Sequence, residues 1–318
     1  MRVLVTGGAG YIGSVVAARL LAEGHEVVVV DDLSTGHADA VPREADFHQL
    51  SIFDVGAYIA GWHIDAVMHF AAKSLVGESV ADPARYWHNN VVGTLALLDA
   101  MRSNGVERIV FSSSAATYGQ PEEQPIREQA PARPTSPYGS SKLAIDLALT
   151  DYARSYALAA VSLRYFNVAG ALLADGATGY GERHANETHL IPKALRATYG
   201  DGPALQLFGT DYPTPDGTCI RDYLHVADLA EAHLAAMAAA SPGAHEIVNL
   251  GTGSGYSVRQ VLDAVAAVVG RDVPVVEAGR RPGDPAALVA SNDRRASCST
   301  GSLRATCTQW CRTPTAST

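Results

Sequence analysis

Short apolar runs alternate with longer stretches of helical spacing through the first half of the chain, the pattern of repeated strand–helix units. Arg2–Thr6 reads as a buried strand, Tyr11–Glu23 as a helix, and Glu26–Asp31, with its run of valines, as the next strand. Asp65–Phe70 and Arg108–Ser113 are two further strands, and Trp87–Ser103 between them carries the apolar spacing of a helix. Pro137 opens a helix that runs to about Tyr156, since a first-turn position does not need the missing N–H. Ala160–Tyr165 reads as a sixth strand. Such alternation predicts an α/β fold built on a doubly wound parallel sheet.

After Asn167 the pattern loosens. Gly170–Glu187 reads as loop, His189–Tyr199 and Val226–Ala240 as helices, Glu246–Leu250 as a strand and Ser257–Val269 as a helix. These pieces are too scattered for a second parallel sheet, and a smaller α/β lobe over the C-terminal ends of the strands is expected. The division predicted is residues 1–167 as the main domain with later segments returning to it, 168–292 mainly as the smaller lobe, and 293–318 as an atypical tail.

Composition narrows the partners more than the fold. With 318 residues, 47% of them apolar, the chain can bury a large core. Its net charge of −9 and lack of a basic run argue against nucleic acid or anionic membrane as a partner. No signal-like start and no long apolar run is present, so a cytoplasmic protein with no membrane association is expected. Cys298, Cys307 and Cys311 crowd the tail, but no histidine or fourth cysteine stands near them at zinc-ligand spacing, and no metal is expected.

Gly7-Gly8-Ala9-Gly10-Tyr11-Ile12-Gly13 follows the first strand and opens the first helix. Glycines there allow a tight turn, backbone approach to a pyrophosphate and close helix–sheet contact, and the helix N-terminus offers free N–H groups to phosphate. Asp31 ends the second strand, where a carboxylate can accept both ribose hydroxyls and would repel a 2′-phosphate. Strand, glycines, helix and acid together predict a Rossmann-type site for NAD rather than NADP.

In Tyr138-Gly139-Ser140-Ser141-Lys142 the tyrosine and lysine share one helix face, one turn apart. A phenol of pKa near 10 is a poor base at neutral pH. A neighbouring ammonium and a positive nicotinamide ring would favour the phenolate and lower that pKa. Ser112-Ser113-Ser114 ends the preceding strand, at the sheet edge where open α/β folds bind ligands, and a hydroxyl there can bond a substrate oxygen or the tyrosine.

TGGAGYIG, Asp31, HFAA at His69–Ala72, SSSA at Ser112–Ala115, YGSSK and RYFN at Arg164–Asn167 together resemble the extended short-chain dehydrogenase/reductases. Within that group the chain is similar to the UDP-galactose 4-epimerases, on Val76-Gly77-Glu78-Ser79, Asn89-Asn90, the run from Phe208 to Val226, and RRPGD at Arg280–Asp284. The similarity spans about residues 1–292.

The resemblance implies interconversion of UDP-glucose and UDP-galactose through a 4-keto sugar. Tyr138 would be the acid/base, with Lys142 and Ser114 as its catalytic neighbours. It implies NAD held by Gly7, Gly10, Tyr11, Ile12, Gly13, Asp31, Asp32, Ser51, Ile52, Phe70, Ala71, Ala72, Asn89, Ser112, Tyr138, Lys142 and Tyr165. It implies a UDP-sugar met by Ser114, Tyr138, Asn167, His189, Leu190, Gln206, Phe208, Arg221, Arg281 and Asp284. Arginine suits diphosphate by bidentate pairing, and a carboxylate suits ribose hydroxyls. A homodimer pairing through helices such as Trp87–Ser103 and Pro137–Tyr156 is implied as well. The alternatives are a 4-epimerase of another UDP-sugar and a non-catalytic NAD sensor; a dehydratase is disfavoured because Ala115-Ala116 follows Ser114 where an acid pair would be needed.

Several positions depart from the relatives. Ser51 stands where many have an aspartate, Lys73 comes one position before a lysine of the nicotinamide pocket, and His189 replaces an asparagine. Leu288 aligns with a bulky tyrosine that restricts the sugar pocket in some epimerases, so room for an N-acetylhexosamine is expected. From Asp293 the chain turns rich in Ser, Thr and Arg where relatives continue into an amphipathic closing helix. The expectation there is a frameshifted ending or, if the tail is native, a segment without order of its own.

Overall fold

A computed structural model of the protein describes residues 1–173, 179–281 and 283–292. The expectation for the tail falls outside these residues. The first unit runs strand β1 (Arg2–Thr6), helix α1 (Tyr11–Ala22), β2 (Glu26–Asp31) and β3 (Asp46–Gln49). Short helices α2 (Ile59–Trp62), α3 (Val76–Ala81) and α4 (Pro83–Tyr86) lie either side of β4 (Ala66–His69). A π-helical turn over Trp87–Val92 leads into α5 (Gly93–Ser103), then β5 (Arg108–Ser114), α6 (Pro137–Tyr156) and β6 (Ala159–Tyr165).

The rest of the chain gives β7 (Asn167–Ala169), β8 (Leu172–Leu173), β9 (Gly179–Tyr180), α7 (Leu190–Tyr199), β10 (Leu205–Phe208) and β11 (Ile220–His225). It continues through α8 (Val226–Ala239), β12 (His245–Leu250), β13 (Gly255–Ser257), α9 (Val258–Val269), β14 (Val275–Ala278) and β15 (Ala287–Leu288).

Among the described residues the main sheet has seven parallel strands in the order β12-β6-β5-β4-β1-β2-β3. Val27–Val30 of β2 are all buried, as expected of a strand covered on both faces. One apolar layer packs Val15, Val16 and Leu20 of α1 with Leu229, Ala230 and Met237 of α8 on one face. The other packs Leu97, Leu98 and Met101 of α5 with Ile145 and Leu149 of α6 on the opposite face. The doubly wound α/β expectation therefore matches the architecture.

Two pieces assigned by sequence to the smaller lobe lie in the main layers instead. β12 extends the parallel sheet beyond β6, pairing Leu250 with Tyr165, and α8 packs on α1. The smaller lobe holds α7 and α9 with a parallel β10–β14 pair and a mixed sheet in which β11 joins β7, β13 and β15. Its core is Ile191, Ala194 and Leu195 against Val261, Leu262 and Val265. Among the described residues, no helix is long and apolar enough to cross a membrane.

Candidate active site

A cavity of about 470 Å³ opens at the C-terminal ends of β1, β2, β4, β5 and β6. Gly7, Gly10, Tyr11, Ile12 and Gly13 form its floor. The turn is so close to its neighbours that a Cβ on Gly7, at φ +75°, would stand 2.6 Å from the Ala71 nitrogen. A Cβ on Gly13 would stand 2.2 Å from the Gly7 carbonyl oxygen. Gly10 is different: its added Cβ would meet only that oxygen, at 3.3 Å, so room for a ligand rather than packing is what calls for glycine. Gly10 caps α1 without a side-chain bond, and no acidic residue occupies the first turn, leaving N–H groups and positive potential at the cavity. The Tyr11 hydroxyl donates to the Gly170 carbonyl at 2.6 Å, strapping the turn to the chain beyond β7.

Asp31 stands at the far end of the cavity, 8% exposed. Its carboxylate accepts from the Ala9 N–H at 3.0 Å and the Leu33 N–H at 2.8 Å, which fixes its plane and leaves further lone pairs. Burial pushes its pKa up against those two bonds. Asp32 accepts from the Ser34 N–H, and the Lys73 ammonium donates to the Ser34 hydroxyl at 2.7 Å. Lys73 therefore lies at the carboxylate end of the cavity, not beside Tyr138. Ile52, Phe70, Ala71, Ala72 and Asn89 line the walls, while Ser51 sits off them and caps the following turn by accepting from the Phe53 N–H at 3.4 Å.

The opposite end carries Ser112, Ser114, Tyr138, Lys142 and Tyr165. Ser136 caps α6 through the Gly139 N–H and Pro137 fills its first position, so Tyr138 and Lys142 project from the first turns of a well-started helix. Lys142 is 2% exposed and donates to the Ser112 carbonyl at 2.7 Å. Its nitrogen lies 4.8 Å from the Phe111 ring centroid and 5.8 Å from that of Tyr138.

Burial brings the Lys142 ammonium down to a pKa of about 7, against a raising influence from Asp146. Burial also raises the Tyr138 phenol, with the Ser114 hydroxyl bonded to it acting the other way. Desolvation therefore dominates at this phenol, and the lowering anticipated from the lysine together with a positive nicotinamide ring belongs to the loaded site. Tyr165 bonds His233, whose other nitrogen meets the Leu229 carbonyl at 2.9 Å.

Two supporting residues were given no role in the sequence reading, although Asn90 stands in the Asn89-Asn90 pair quoted for the resemblance. Asn90 accepts from the Lys73 N–H and donates to the Lys73 carbonyl and the Ser141 hydroxyl, riveting the Ala72–Ser74 wall to α6. Tyr86 stands edge-on to Tyr138, with ring centroids 6.4 Å apart, and donates to Glu78 at 2.7 Å. Tyr86 has no local pattern that marks it, and the π-helical turn that carries Asn90 is a frequent companion of functional sites.

The residues expected around the second ligand divide. Ser114, Tyr138, Asn167 and His189 reach the cavity, as does Leu288. Leu190 packs into the apolar core of the smaller lobe instead. Phe208, Arg221, Arg281 and Asp284 form a group outside the cavity wall, and Gln206 is an exposed position of β10 beside them in sequence. There Arg281 lies 4.0 Å over the Phe208 ring, and Arg221 pairs with Asp284 while donating to the Ile220 carbonyl at 2.7 Å. The sequence also gave no role to Glu182 and His184, which line the cavity and meet His189.

A parallel sheet with a glycine-rich turn at one end of a cavity and a Tyr–Lys pair at the other defines a nucleotide-cofactor enzyme of the Rossmann class. The residues present suit a dinucleotide: an uncapped helix N-terminus for phosphates, a fixed carboxylate for hydroxyls, and a cavity running between that carboxylate and Tyr138. Residues 3–251 match the NAD dependent epimerase/dehydratase family, and the chain belongs to that family. A UDP-glucose 4-epimerase of Corynebacterium glutamicum is 51% identical over 295 residues, covering 92% of this chain and 88% of that one. One from Streptomyces lividans is 53% identical over 292 residues, covering 91% and 87%. Among solved structures, the UDP-glucose 4-epimerase of Brucella ovis in complex with NAD superposes with a TM-score of 0.92 at 46% identity, covering 98% of this chain and 96% of that one.

Proposed function

We propose that the protein is an NAD-dependent isomerase that interconverts UDP-glucose and UDP-galactose by inverting C4. The observation that carries this reading is the Ser114–Tyr138–Lys142 group on the wall of a cavity that begins at the glycine turn. The Corynebacterium and Streptomyces relatives supply the substrate.

Gly7, Gly10 and Gly13 with the α1 N-terminus would hold the pyrophosphate of NAD, and Asp31 the adenosine ribose, with Ile52, Phe70 and Ala71 against the rest. When bound, the cofactor supplies a reversible two-electron acceptor next to C4. Tyr138 takes the proton of the sugar 4-hydroxyl, and Ser114 bonds the same oxygen as it becomes a carbonyl. Lys142, buried beside the phenol, holds the nicotinamide ribose and, as a cation, offsets the charge of the phenolate. Tyr138 returns the proton after the 4-keto sugar has turned over. Asn167, with Arg221, Arg281, Asp284 and Phe208 beyond it, grips UDP and leaves the hexose free to rotate.

Leu288 on the cavity wall supports some acceptance of N-acetylated sugars. Exposed Trp87 and Val92, with Leu147 and Tyr156 on α6, support pairing of two copies through these helices. The test is incubation of the purified protein with UDP-galactose and no added NAD. Appearance of UDP-glucose is expected, and its loss in Tyr138→Phe, by at least about 10²-fold with NAD still retained. Full turnover by that variant would remove Tyr138 from the mechanism.

A further inference from the structure

Between β9 and α7 the chain crosses the cavity edge as Gly181–His189, and it is fastened there from outside. Arg183 makes two bonds to Asp39, at 2.9 and 2.7 Å, and the Arg183 carbonyl meets the His37 ring at 3.0 Å. Inside this strap, Glu182, His184, Glu187 and His189 turn toward one another. One nitrogen or oxygen from each lies within 4.8 Å of all the others.

We propose that these four side chains bind one divalent transition-metal ion of the zinc type. The donor atoms are His184 Nε2, His189 Nδ1 and one carboxylate oxygen from each glutamate. Glu182 Oε1 lies 3.1 Å from His184 Nε2 and 2.5 Å from His189 Nδ1, and Glu187 Oε1 lies 2.9 Å from His189 Nδ1. Tetrahedral zinc with ligands at about 2.0–2.2 Å sets its donors roughly 3.3–3.6 Å apart, so the Glu182–His189 contact at 2.5 Å would open by about 1 Å, and the wider pairs of the set would close, to seat the ion.

The set suits such an ion chemically. Two carboxylates match a divalent charge, and two imidazoles favour zinc, cobalt or nickel over magnesium or calcium, which prefer oxygen. Both glutamate side chains are buried, at 6% and 3% exposed, so their charge is poorly served by water. The backbone already orients one of them: Glu187 Oε1 accepts from the His189 N–H at 2.7 Å, the kind of outer bond that steadies a ligating carboxylate. Because Glu182, His184 and His189 line the cofactor cavity, the ion would pin the strap across its edge. The proposal does not rest on which sugar the enzyme turns over.

The full-length protein, stripped with a chelator, is titrated with Co²⁺ and followed by visible absorption, with bound metal counted after equilibrium dialysis. One Co²⁺ per chain is expected, with the intense visible bands of tetrahedral nitrogen–oxygen ligation, displaced by one equivalent of Zn²⁺ and unaffected by excess Mg²⁺. His184→Gln and Glu187→Gln, each with unchanged far-ultraviolet circular dichroism, should weaken binding at least about tenfold. Absence of stoichiometric metal would overturn the proposal. So would binding that survives in whichever of the two variants folds, or a thiolate-to-cobalt band, which would assign the metal to Cys298, Cys307 and Cys311.

Discussion

The Lys142 ammonium donates to the carbonyl oxygen of Ser112 across 2.7 Å, with the Tyr138 ring 5.8 Å away. Two residues brought to one helix face by their spacing are therefore not in a simple ion-pair relation. The lysine is anchored to the last turn of β5, buried under Phe111, and its charge is disfavoured enough to bring its pKa to about 7. Burial holds the Tyr138 phenol in its neutral form. Activation of the phenol is thus a property of the loaded site, where new polar partners for Lys142 would restore its charge.

Lys142→Met tests that burial cost in the cofactor-free protein. Below a pH of about 7 the lysine is charged in both folded and unfolded chains; between about 7 and its ordinary value of 10.5, only the unfolded chain keeps the proton. Its contribution to stability is thus fully present above 10.5 and lost as the pH falls through about 7. Urea unfolding of both proteins at several pH values should show the stability of the wild type rising relative to the variant, by up to roughly 1.4 kcal/mol per pH unit within that window. A pH-independent difference would mean that Lys142 is not desolvated as described.

Arg164 and Asp146 form a buried pair behind the catalytic helix, bonded at 3.1 and 2.9 Å through Asp146 Oδ2. Ser113 also donates to that oxygen, and the guanidinium lies 4.8 Å from the Tyr118 ring centroid. Arg164→Leu leaves a carboxylate alone in the core and should cost about 3–5 kcal/mol in urea unfolding. Asp146→Leu added to it should recover part of the loss. A cost below about 1 kcal/mol for the single variant would show that water reaches the carboxylate.

Leu288 packs beside Ala115 and Tyr118 and reaches the cavity wall, where a larger ring would occupy space next to the sugar. UDP-N-acetylglucosamine should be turned over beside UDP-glucose. Leu288→Tyr should lower kcat/KM for the N-acetylated sugar by about tenfold more than for UDP-glucose, a difference of about 1.4 kcal/mol. Equal effects on both sugars would remove Leu288 as a determinant.

The inner strands of the main sheet were legible because each is a continuous apolar run, and Arg2–Thr6 and Glu26–Asp31 fall on the expected bounds, whereas the edge strand Asp46–Gln49 is largely polar and was not read. What local pattern cannot carry is distant pairing. His245–Leu250 lies some eighty residues beyond β6 yet pairs with it residue for residue, so its place in the sheet was not readable. Ile220–His225 was hidden for another reason. Asp222 within it is fully buried, satisfied by the N–H groups of Thr252, Gly253 and Ala290, so the strand lacks apolar alternation. The site follows the same division. The glycine turn and the Tyr–Lys helix are local and stood out, whereas Asn90 acts through contacts with Lys73 and Ser141 that no spacing announces. Glu182, His184 and Glu187 lay in a segment read as loop and His189 at the start of the next helix, and only the fold turns the four donors toward one another.

The central claim is that the C4–H bond of the sugar is broken and remade inside one cavity. UDP-galactose deuterated at C4 is incubated with the enzyme in ordinary water, and the UDP-glucose formed is examined by mass spectrometry and NMR. The account predicts deuterium retained at C4 of the product, with turnover slowed by the heavier atom where bond breaking limits the rate. Product carrying hydrogen from water at C4 would contradict it, because inversion would then proceed by exchange with solvent and not by the redox cycle assigned to this site.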